Sequence, residues 1–98
     1  MRIKWLRQAV GDLDAAEEFI AQDNPEAAAK VALTIVKAVS QLKEQPGSGR
    51  TGRVTGTREL IISETPYVVP YRVKNNVVEI LRVYHSSRKW PDVFSNKR

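Results

Sequence analysis

The spacing of the apolar residues changes once along this chain, and that change limits the possible folds more than any other feature. Up to residue 42 they recur every three or four positions, which is typical of amphipathic helices. From Arg58 onward they alternate with polar residues, which is typical of half-buried strands. The helical stripes are Leu6, Ala9, Leu13, Ala16, Phe19 and Ile20, and then Ala28, Val31, Ile35, Ala38, Val39 and Leu42. The pattern predicts an α+β domain with two helices on one face of a sheet.

The boundary between the two helices is encoded by a short sequence, Asp23-Asn24-Pro25-Glu26. Asn24 is a favourable N-cap, and Pro25 suits the first position of a helix. The second helix is expected to end near Gln45, because Pro46-Gly47-Ser48-Gly49 cannot easily continue it. So short a connection predicts an antiparallel helix hairpin.

Four strands are predicted, one before the helices and three after them. The first lies around Ile3 and Trp5, and the others run from Arg58 to Ser63, from Tyr67 to Lys74 and from Val77 to His85. Asn75-Asn76 fits a two-residue hairpin turn, since asparagine tolerates positive φ. Pro70 cannot donate to a ladder, so a sheet edge or a bulge is expected there. The resulting order is β-α-α-β-β-β, with the helix hairpin packed on a small, mainly antiparallel sheet.

The length and composition of the chain indicate a single domain. Its 98 residues are expected to form one domain over residues 1–91 and a basic C-terminal tail over residues 92–98. There is no cysteine and His85 is the one histidine, so no disulfide, metal or cofactor is expected. No apolar run has the length of a membrane span or a signal peptide, which predicts a cytoplasmic protein without a membrane partner.

The chain carries a net charge of +5, which favours an anionic partner. Many of the cations follow the last predicted strand or lie near its end. Strict alternation along that strand places Ile80, Arg82 and Tyr84 on one face, with Val83 and His85 on the other. A fixed strand end would present such residues to a negatively charged surface. The candidate target-binding residues are Arg82, Tyr84, His85, Arg88, Lys89 and Trp90.

A glycine-rich stretch, Gly47-Ser48-Gly49-Arg50-Thr51-Gly52-Arg53, superficially matches a phosphate-binding loop. It lacks the Gly-Lys-Ser/Thr ending, and it joins a helix to a strand, which is the reverse of the required order. We interpret it as a flexible connection. Arg50 and Arg53, together with Arg58, are candidates for contact with an anionic surface.

Four segments, in this order, resemble the RelE/ParE family of bacterial type II toxins. They are Asp23-Asn24-Pro25, Gly56-Thr57-Arg58-Glu59-Leu60, Tyr67-Val68-Val69-Pro70-Tyr71-Arg72-Val73, and Ile80-Leu81-Arg82-Val83-Tyr84-His85-Ser86-Ser87-Arg88. The resemblance covers residues 1–91. It implies a toxin that is neutralised by a cognate antitoxin.

The family contains two activities, and one position separates them. RelE-like members are ribosome-dependent endoribonucleases that cut mRNA, whereas ParE-like members are understood to poison DNA gyrase and are not nucleases. Ribonuclease members generally place an arginine where this chain has Val68, to stabilise charge in the transition state. Valine cannot do this, and neither Arg72 nor Arg82 is an obvious substitute. The resemblance therefore implies growth inhibition through DNA gyrase.

His85 keeps the ribonuclease alternative open. Some ribonuclease members carry a histidine at this strand end, and an imidazole can act as general acid or base. The catalytic residues would then be His85, Arg82 and Arg72, and the target would be the ribosome. The sequence His85-Ser86-Ser87-Arg88-Lys89-Trp90-Pro91 is more similar to the ParE-like version, so no catalytic residue is favoured. A generic basic nucleic-acid-binding module is the third and weaker alternative, and it predicts a steeply salt-dependent affinity of the isolated chain for DNA.

Either branch of the family implies an antitoxin as a second chain. Its inhibitory segment is expected to be amphipathic and acidic. The segment would lie in the groove between the helix hairpin and the sheet, or it would cover the basic corner around Arg88, where complementary charge would speed association. Operator DNA would be contacted only through the toxin–antitoxin complex.

Overall fold

The computed structural model describes residues 1–94 of the 98-residue chain. In these residues six strands form one sheet, and two helices form a hairpin that packs on it. The elements are β1 Arg2–Trp5, α1 Arg7–Ala21, α2 Pro25–Ser40, β2 Arg50–Thr51, β3 Arg58–Ile61, β4 Tyr67–Lys74, β5 Val77–Ile80 and β6 Tyr84–His85, with a 3₁₀ turn at Gln41–Lys43. Lys97 and Arg98 of the predicted basic tail lie outside the described residues.

The helix hairpin begins and turns where the sequence predicted it. The side chain of Asn24 accepts a hydrogen bond from the amide of Ala27 at 3.1 Å, and Pro25 is the first residue of α2. α2 ends at Ser40 rather than near Gln45, because the chain tightens into the 3₁₀ turn first. Neither helix in the described part of the chain is long and apolar enough to cross a membrane.

The sheet is mixed, with the strand order β1-β5-β4-β3-β2. β1 pairs with β5 in parallel, with Arg2 opposite Val77, while the other strand pairs are antiparallel. The parallel pair joins the start of the chain to a strand near its end. The predicted α+β fold, with two helices on a mainly antiparallel sheet, is confirmed.

The core lies between the helix hairpin and one face of the sheet. It is built from Ala9, Ile35, Val39, Leu42, Ile62, Tyr67, Val69, Tyr71, Val78, Ile80 and Val83. Because successive side chains of a strand point to opposite faces, Val68, Pro70 and Arg72 of β4 lie on the face turned away from the helices. We call this second face the outer face. It carries most of the predicted site residues.

The turn between β4 and β5 was predicted correctly, whereas the strands β2 and β3 were predicted less well. Asn75 and Asn76 form the turn between β4 and β5 with φ of 52° and 63°, so the predicted two-residue hairpin is confirmed. β3 ends at Ile61 rather than at Ser63. β2 was not predicted at all, because a strand of two residues is too short to show alternation.

Pro70 lies inside the central strand, with β3 on one side and β5 and β6 on the other, so the predicted sheet edge is wrong. The irregularity occurs in the partner strand instead. The carbonyl of Pro70 accepts a hydrogen bond from the amide of Leu81 at 3.0 Å, but proline has no amide hydrogen to return. Pairing resumes one residue out of step, with Tyr84 opposite Val68. The predicted continuous strand from Val77 to His85 is therefore divided by a bulge into β5 and β6.

The bulge also corrects the predicted facing of the last strand. Strict alternation placed Ile80 and Tyr84 on one face, with Val83 on the other. In the structure Val83 shares the core with Ile80, whereas Tyr84 lies beside Val68 on the outer face. One inserted residue reverses the facing of everything that follows it, because side chains alternate with a period of two.

The cap of α2 makes a direct contribution to the stability of the hairpin. Replacing Asn24 by Ala removes the acceptor for the Ala27 amide, and we expect a loss of about 1 kcal/mol in the free energy of unfolding. Asn24→Ser retains a capping oxygen and is expected to lose much less. Urea denaturation followed by circular dichroism measures both, and equal losses would contradict a capping role.

Candidate partner-binding corner

The end of the described chain packs against the outer face through contacts among three aromatic rings. Tyr84 is only 1% exposed, and its ring meets that of Trp90 edge to face, with 5.1 Å between centroids. Phe94 lies 6.2 Å from Tyr84 and 6.3 Å from Trp90. Edge-on and tilted arrangements of this kind favour aromatic pairing. Tyr84 therefore forms the buried base of the corner, and its predicted contact with a target stays a prediction.

Three arginines stack on the same rings. The guanidinium carbon of Arg53 lies 3.9 Å from the Trp90 ring centroid, and those of Arg82 and Arg88 lie 4.8 and 4.4 Å from that of Tyr84. At such distances a cation is attracted to the ring face. We call this group the aromatic–arginine cluster; its members are Arg53, Arg82, Tyr84, Arg88, Trp90 and Phe94. Arg88 and Lys89 are both exposed and close the cluster on its outer side.

Asp12 of α1 fixes the bulge and one arginine of the cluster. Its Oδ2 accepts hydrogen bonds from Arg82 Nε at 2.7 Å and from the Val83 amide at 3.0 Å, and its Oδ1 accepts from Arg82 Nη2 at 2.9 Å. The hydrogen bonds to Asp12 raise the pKa of Arg82 above its ordinary value, although burial acts in the opposite direction. Arg82 is thus a fixed positive charge and not a proton donor.

Glu59 of β3 is buried and paired with two arginines of the glycine-rich stretch. Its carboxylate accepts hydrogen bonds from Arg50 Nε and Nη2 at 2.9 and 2.8 Å, and from the Arg53 amide and Nε at 2.9 and 3.1 Å. Burial alone would raise the pKa of Glu59, but the hydrogen bonds from Arg53 and Arg50 outweigh it, and the pKa is lowered. Because Arg53 also stacks on Trp90, the carboxylate connects β3 to the aromatic–arginine cluster.

The arginines predicted to contact an anionic surface are engaged within the molecule. Arg58 donates to the carbonyls of Gly47 and Gly49, which holds the glycine-rich stretch against β3. The side chains of Arg50 and Arg53 are paired with Glu59, yet they remain 49% and 48% exposed. They can therefore still face a partner, and that contact stays a prediction.

His85 is exposed and lies opposite Tyr67 of β4, with its ring edge-on to that tyrosine at 5.7 Å between centroids. Its Nδ1 accepts a hydrogen bond from the Ser87 amide at 3.2 Å, and the Ser87 hydroxyl lies 2.8 Å from the same nitrogen. Residues 1–94 contain no group of three side chains that could hold a metal ion.

The structure places Arg72 far from His85 and pairs Arg82 with a carboxylate of α1. Arg72 is paired with Glu79 at 2.6 Å, five positions along β4 from the partner of His85, which corresponds to about 17 Å at the rise of a strand. It also lies on the outer face, whereas His85 shares the face of Tyr67. Arg82 is held by Asp12 on α1.

Asp12, Glu59 and Phe94 shape the corner but were not among the predicted site residues. The available signal for Glu59 was a carboxylate within a short strand, which requires a partner when buried. Asp12 gave no such signal, because an acidic residue on an amphipathic helix is ordinarily solvated. Its partner, Arg82, lies 70 positions away in the sequence.

The fold and this corner were compared with known proteins. The family model described as "ParE toxin of type II toxin-antitoxin system, parDE" matches residues 3–90. The chain belongs to the ParE toxin family. The resemblance to RelE/ParE toxins is thereby confirmed, and membership of a type II toxin–antitoxin family implies a cognate antitoxin as partner of this ParE-family chain.

Two curated toxins, one of them named as a RelE toxin, and one solved ParDE structure are similar to the chain over most of its length. The chain is 46% identical over 92 residues to "Putative toxin Y4kP" of Sinorhizobium fredii, covering 94% of this chain and 95% of that protein. It is 37% identical over 87 residues to "Toxin RelE2" of Caulobacter vibrioides, covering 89% and 97%. A structure of the chromosomal ParDE system of P. aeruginosa superposes with a TM-score of 0.79 at 36% identity, covering 87% of this ParE-family chain and 95% of that chain.

Asp12 is expected to be important for the stability of the corner. Asp12→Asn keeps the shape of the side chain but removes the charge that pairs with Arg82, and we expect a loss of about 2 kcal/mol in unfolding free energy. Asp14→Asn, at an exposed position of the same helix, is the matched control and should change stability by less than about 0.5 kcal/mol. Equal effects in thermal denaturation would contradict the role assigned to Asp12.

The lowered pKa of Glu59 predicts a dependence of stability on pH. Because the folded-state pKa lies below the unfolded value of about 4.3, the stabilisation is fully present above that pH and is lost as the pH falls through the folded pKa. Glu59→Gln should cost about 1–3 kcal/mol at neutral pH, and the difference from the unmodified chain should shrink in acid. Urea denaturation at several pH values measures this, and a difference independent of pH would contradict it.

Proposed function

We propose that this toxin arrests growth by binding and poisoning DNA gyrase, and that it contributes no bond-breaking chemistry of its own. The observation that carries the proposal is the position of Arg72, which is bonded to Glu79 on the outer face about 17 Å along β4 from His85, while Arg82 is engaged by Asp12. A ribonuclease needs a general acid or base and a transition-state cation within reach of one phosphate. The gyrase target places the proposed action in the cytoplasm.

The position that carries an arginine in ribonuclease members supports the same conclusion. Val68 is buried on the outer face beneath the corner, directly opposite Tyr84. An apolar side chain there packs against the aromatic–arginine cluster and supplies no charge. The arginines of the cluster are occupied in part by the rings and in part by Asp12 and Glu59.

The exposed side of the corner is the proposed contact surface for gyrase. Arg88 and Lys89 are exposed cations, and Arg88 rests on Tyr84 at 4.4 Å, so that the backbone near them is supported by buried rings. Arginine and aromatic residues are enriched in interfaces, and a pre-ordered segment loses less entropy on binding. Trp90 is half-buried; its ring contacts Tyr84, the ring on which Arg88 rests, and it carries the guanidinium of Arg53.

We also propose where the cognate antitoxin binds. An amphipathic segment would cover apolar side chains on the helix hairpin, where Phe19 is 70% and Leu33 60% exposed. An acidic portion of the same segment would cover Arg88 and Lys89, which would block the surface proposed for gyrase. Operator DNA would be reached through the DNA-binding part of the antitoxin.

A gyrase supercoiling assay tests the proposal. The purified toxin is expected to abolish supercoiling or to trap cleavage complexes, and added antitoxin should reverse this. Arg88→Ala/Lys89→Ala should raise the half-inhibitory concentration by about tenfold or more, since two interface cations worth about 1 kcal/mol each exceed the 1.4 kcal/mol that corresponds to tenfold. His85→Ala should retain most of the activity.

The matched control removes the same charge elsewhere. Lys30→Ala/Lys37→Ala on the exposed side of α2 should stay within about twofold of the unmodified toxin, because screened charges far from an interface contribute little. A folded His85→Ala protein without activity would contradict the proposal. So would mRNA cleavage that requires ribosomes, which would instead favour the alternative based on His85.

A further inference from the structure

The outer face carries a second group of cations, at the end of the sheet remote from the aromatic–arginine cluster. It consists of two rows across the strands β1, β5 and β4. In one row Arg2 and Lys74 flank Val77, and in the next Lys4 and Arg72 flank Glu79. Because residues opposite each other in a sheet share a face, these side chains all project to the same side. We call the cations Arg2, Lys4, Arg72 and Lys74 the sheet-face patch.

The one carboxylate within the patch is withdrawn from solvent. Glu79 is buried and bonded to Arg72 Nε at 2.6 Å. None of the ion pairs within residues 1–94 involves Arg2, Lys4 or Lys74. A shallow concavity of about 310 Å³ is bordered by Arg2, Lys4, Lys74 and Glu79, so the cations surround one open space.

Charge is divided between the two layers of the molecule. The six strands contain two carboxylates, Glu59 and Glu79, and both are buried and paired with arginine. The helix hairpin, in contrast, exposes Asp14, Glu17, Glu18, Asp23 and Glu26. The hairpin also exposes the cations Arg7, Lys30 and Lys37, so its exposed charges are mixed, whereas those of the strands are all positive. A polyanion would therefore be attracted to the sheet in preference to the helices.

We propose that the sheet-face patch binds the phosphate backbone of duplex DNA. Cations on one face of a strand repeat at about 6.7 Å, and β1 and β4 are separated by β5, so the rows are about 10 Å wide. Duplex DNA carries one charge per about 1.7 Å of axis, so several phosphates fall within reach of the long side chains of Arg2, Lys4 and Lys74. Such contacts are independent of base sequence.

The chemistry of the patch favours a duplex over a single strand. Proteins that bind single-stranded nucleic acid combine cations with free aromatic rings on which bases stack. The patch contains no aromatic residue, and the rings of Tyr84, Trp90 and Phe94 are occupied by one another and by arginines. A duplex needs no such platform, because its bases are already stacked. This inference is independent of the gyrase proposal, since it concerns the toxin and DNA alone.

Fluorescence anisotropy with a short labelled duplex of arbitrary sequence tests the proposal. Affinity is measured between about 50 and 200 mM salt for the unmodified toxin, for Arg2→Gln/Lys74→Gln, and for the control Lys30→Gln/Lys37→Gln. Both variants remove two exposed cations from a net charge of +5. Removing two phosphate contacts should lower affinity at about 50 mM salt by about thirtyfold or more and flatten the logarithmic salt slope by about 2. The control should change neither quantity appreciably.

Three results would overturn the proposal. The first is no binding of duplex DNA by the unmodified toxin at low salt. The second is an equal loss of affinity in the two variants, which would assign binding to net charge alone. The third is tighter binding of single-stranded RNA than of duplex DNA. Circular dichroism monitors folding, and Lys4→Gln serves as an independent variant, with an expected slope change of about 1.

Discussion

Pro70 withholds one hydrogen bond from the middle of the sheet, and the geometry of the whole corner depends on that missing donor. The ladder between β4 and its partner is interrupted beside the proline, and one residue is inserted before pairing resumes. The insertion places Val83 in the core and Tyr84 on the outer face. It also turns the Val83 amide toward α1, where the Asp12 carboxylate accepts hydrogen bonds from this amide and from the Arg82 guanidinium. The carboxylate of Asp12 thus provides the Val83 amide with the hydrogen-bond acceptor that the interrupted ladder does not supply.

The segment beyond β6 is held by side chains more than by a ladder. Aromatic pairs contribute about 0.5–1.5 kcal/mol each and partly exposed cation–π contacts about 0.5–1 kcal/mol. Several such contacts acting together order the segment, and the ion pair with the buried Glu59 carboxylate fixes the position of Arg53 that receives Trp90. The same arginines that order the segment also charge its surface. The order of this segment and its capacity to bind a partner are therefore coupled, and substitutions at Trp90 will affect both.

Features with local chemical signals could be predicted from the sequence. Asn24-Pro25 fixes the start of α2, and Asn75-Asn76 fixes a turn, because each depends on residues adjacent in the chain. The two amphipathic stripes were sufficient for the helix layer. Pro70 indicated an edge or a bulge, but the strand that carries the inserted residue could not be predicted, since alternation looks the same on both sides of an insertion. Two contacts join distant segments of the chain: the ion pair of Asp12 with Arg82, and the parallel pairing of β1 with β5. Nothing in the neighbouring sequence distinguishes these partners from other arginines or other strands.

The parallel pairing of β1 with β5 has a consequence for the order in which the toxin is assembled during synthesis. β1 is made before the helix hairpin, β2, β3 and β4, yet its neighbour β5 is made only after them. The hairpin is rich in local contacts and can form early, whereas contacts of large sequence separation form slowly. Both cationic surfaces require the closed sheet. A nascent chain therefore carries no complete binding surface until β5 has been made, and a premature stop anywhere before β5 yields an inert fragment.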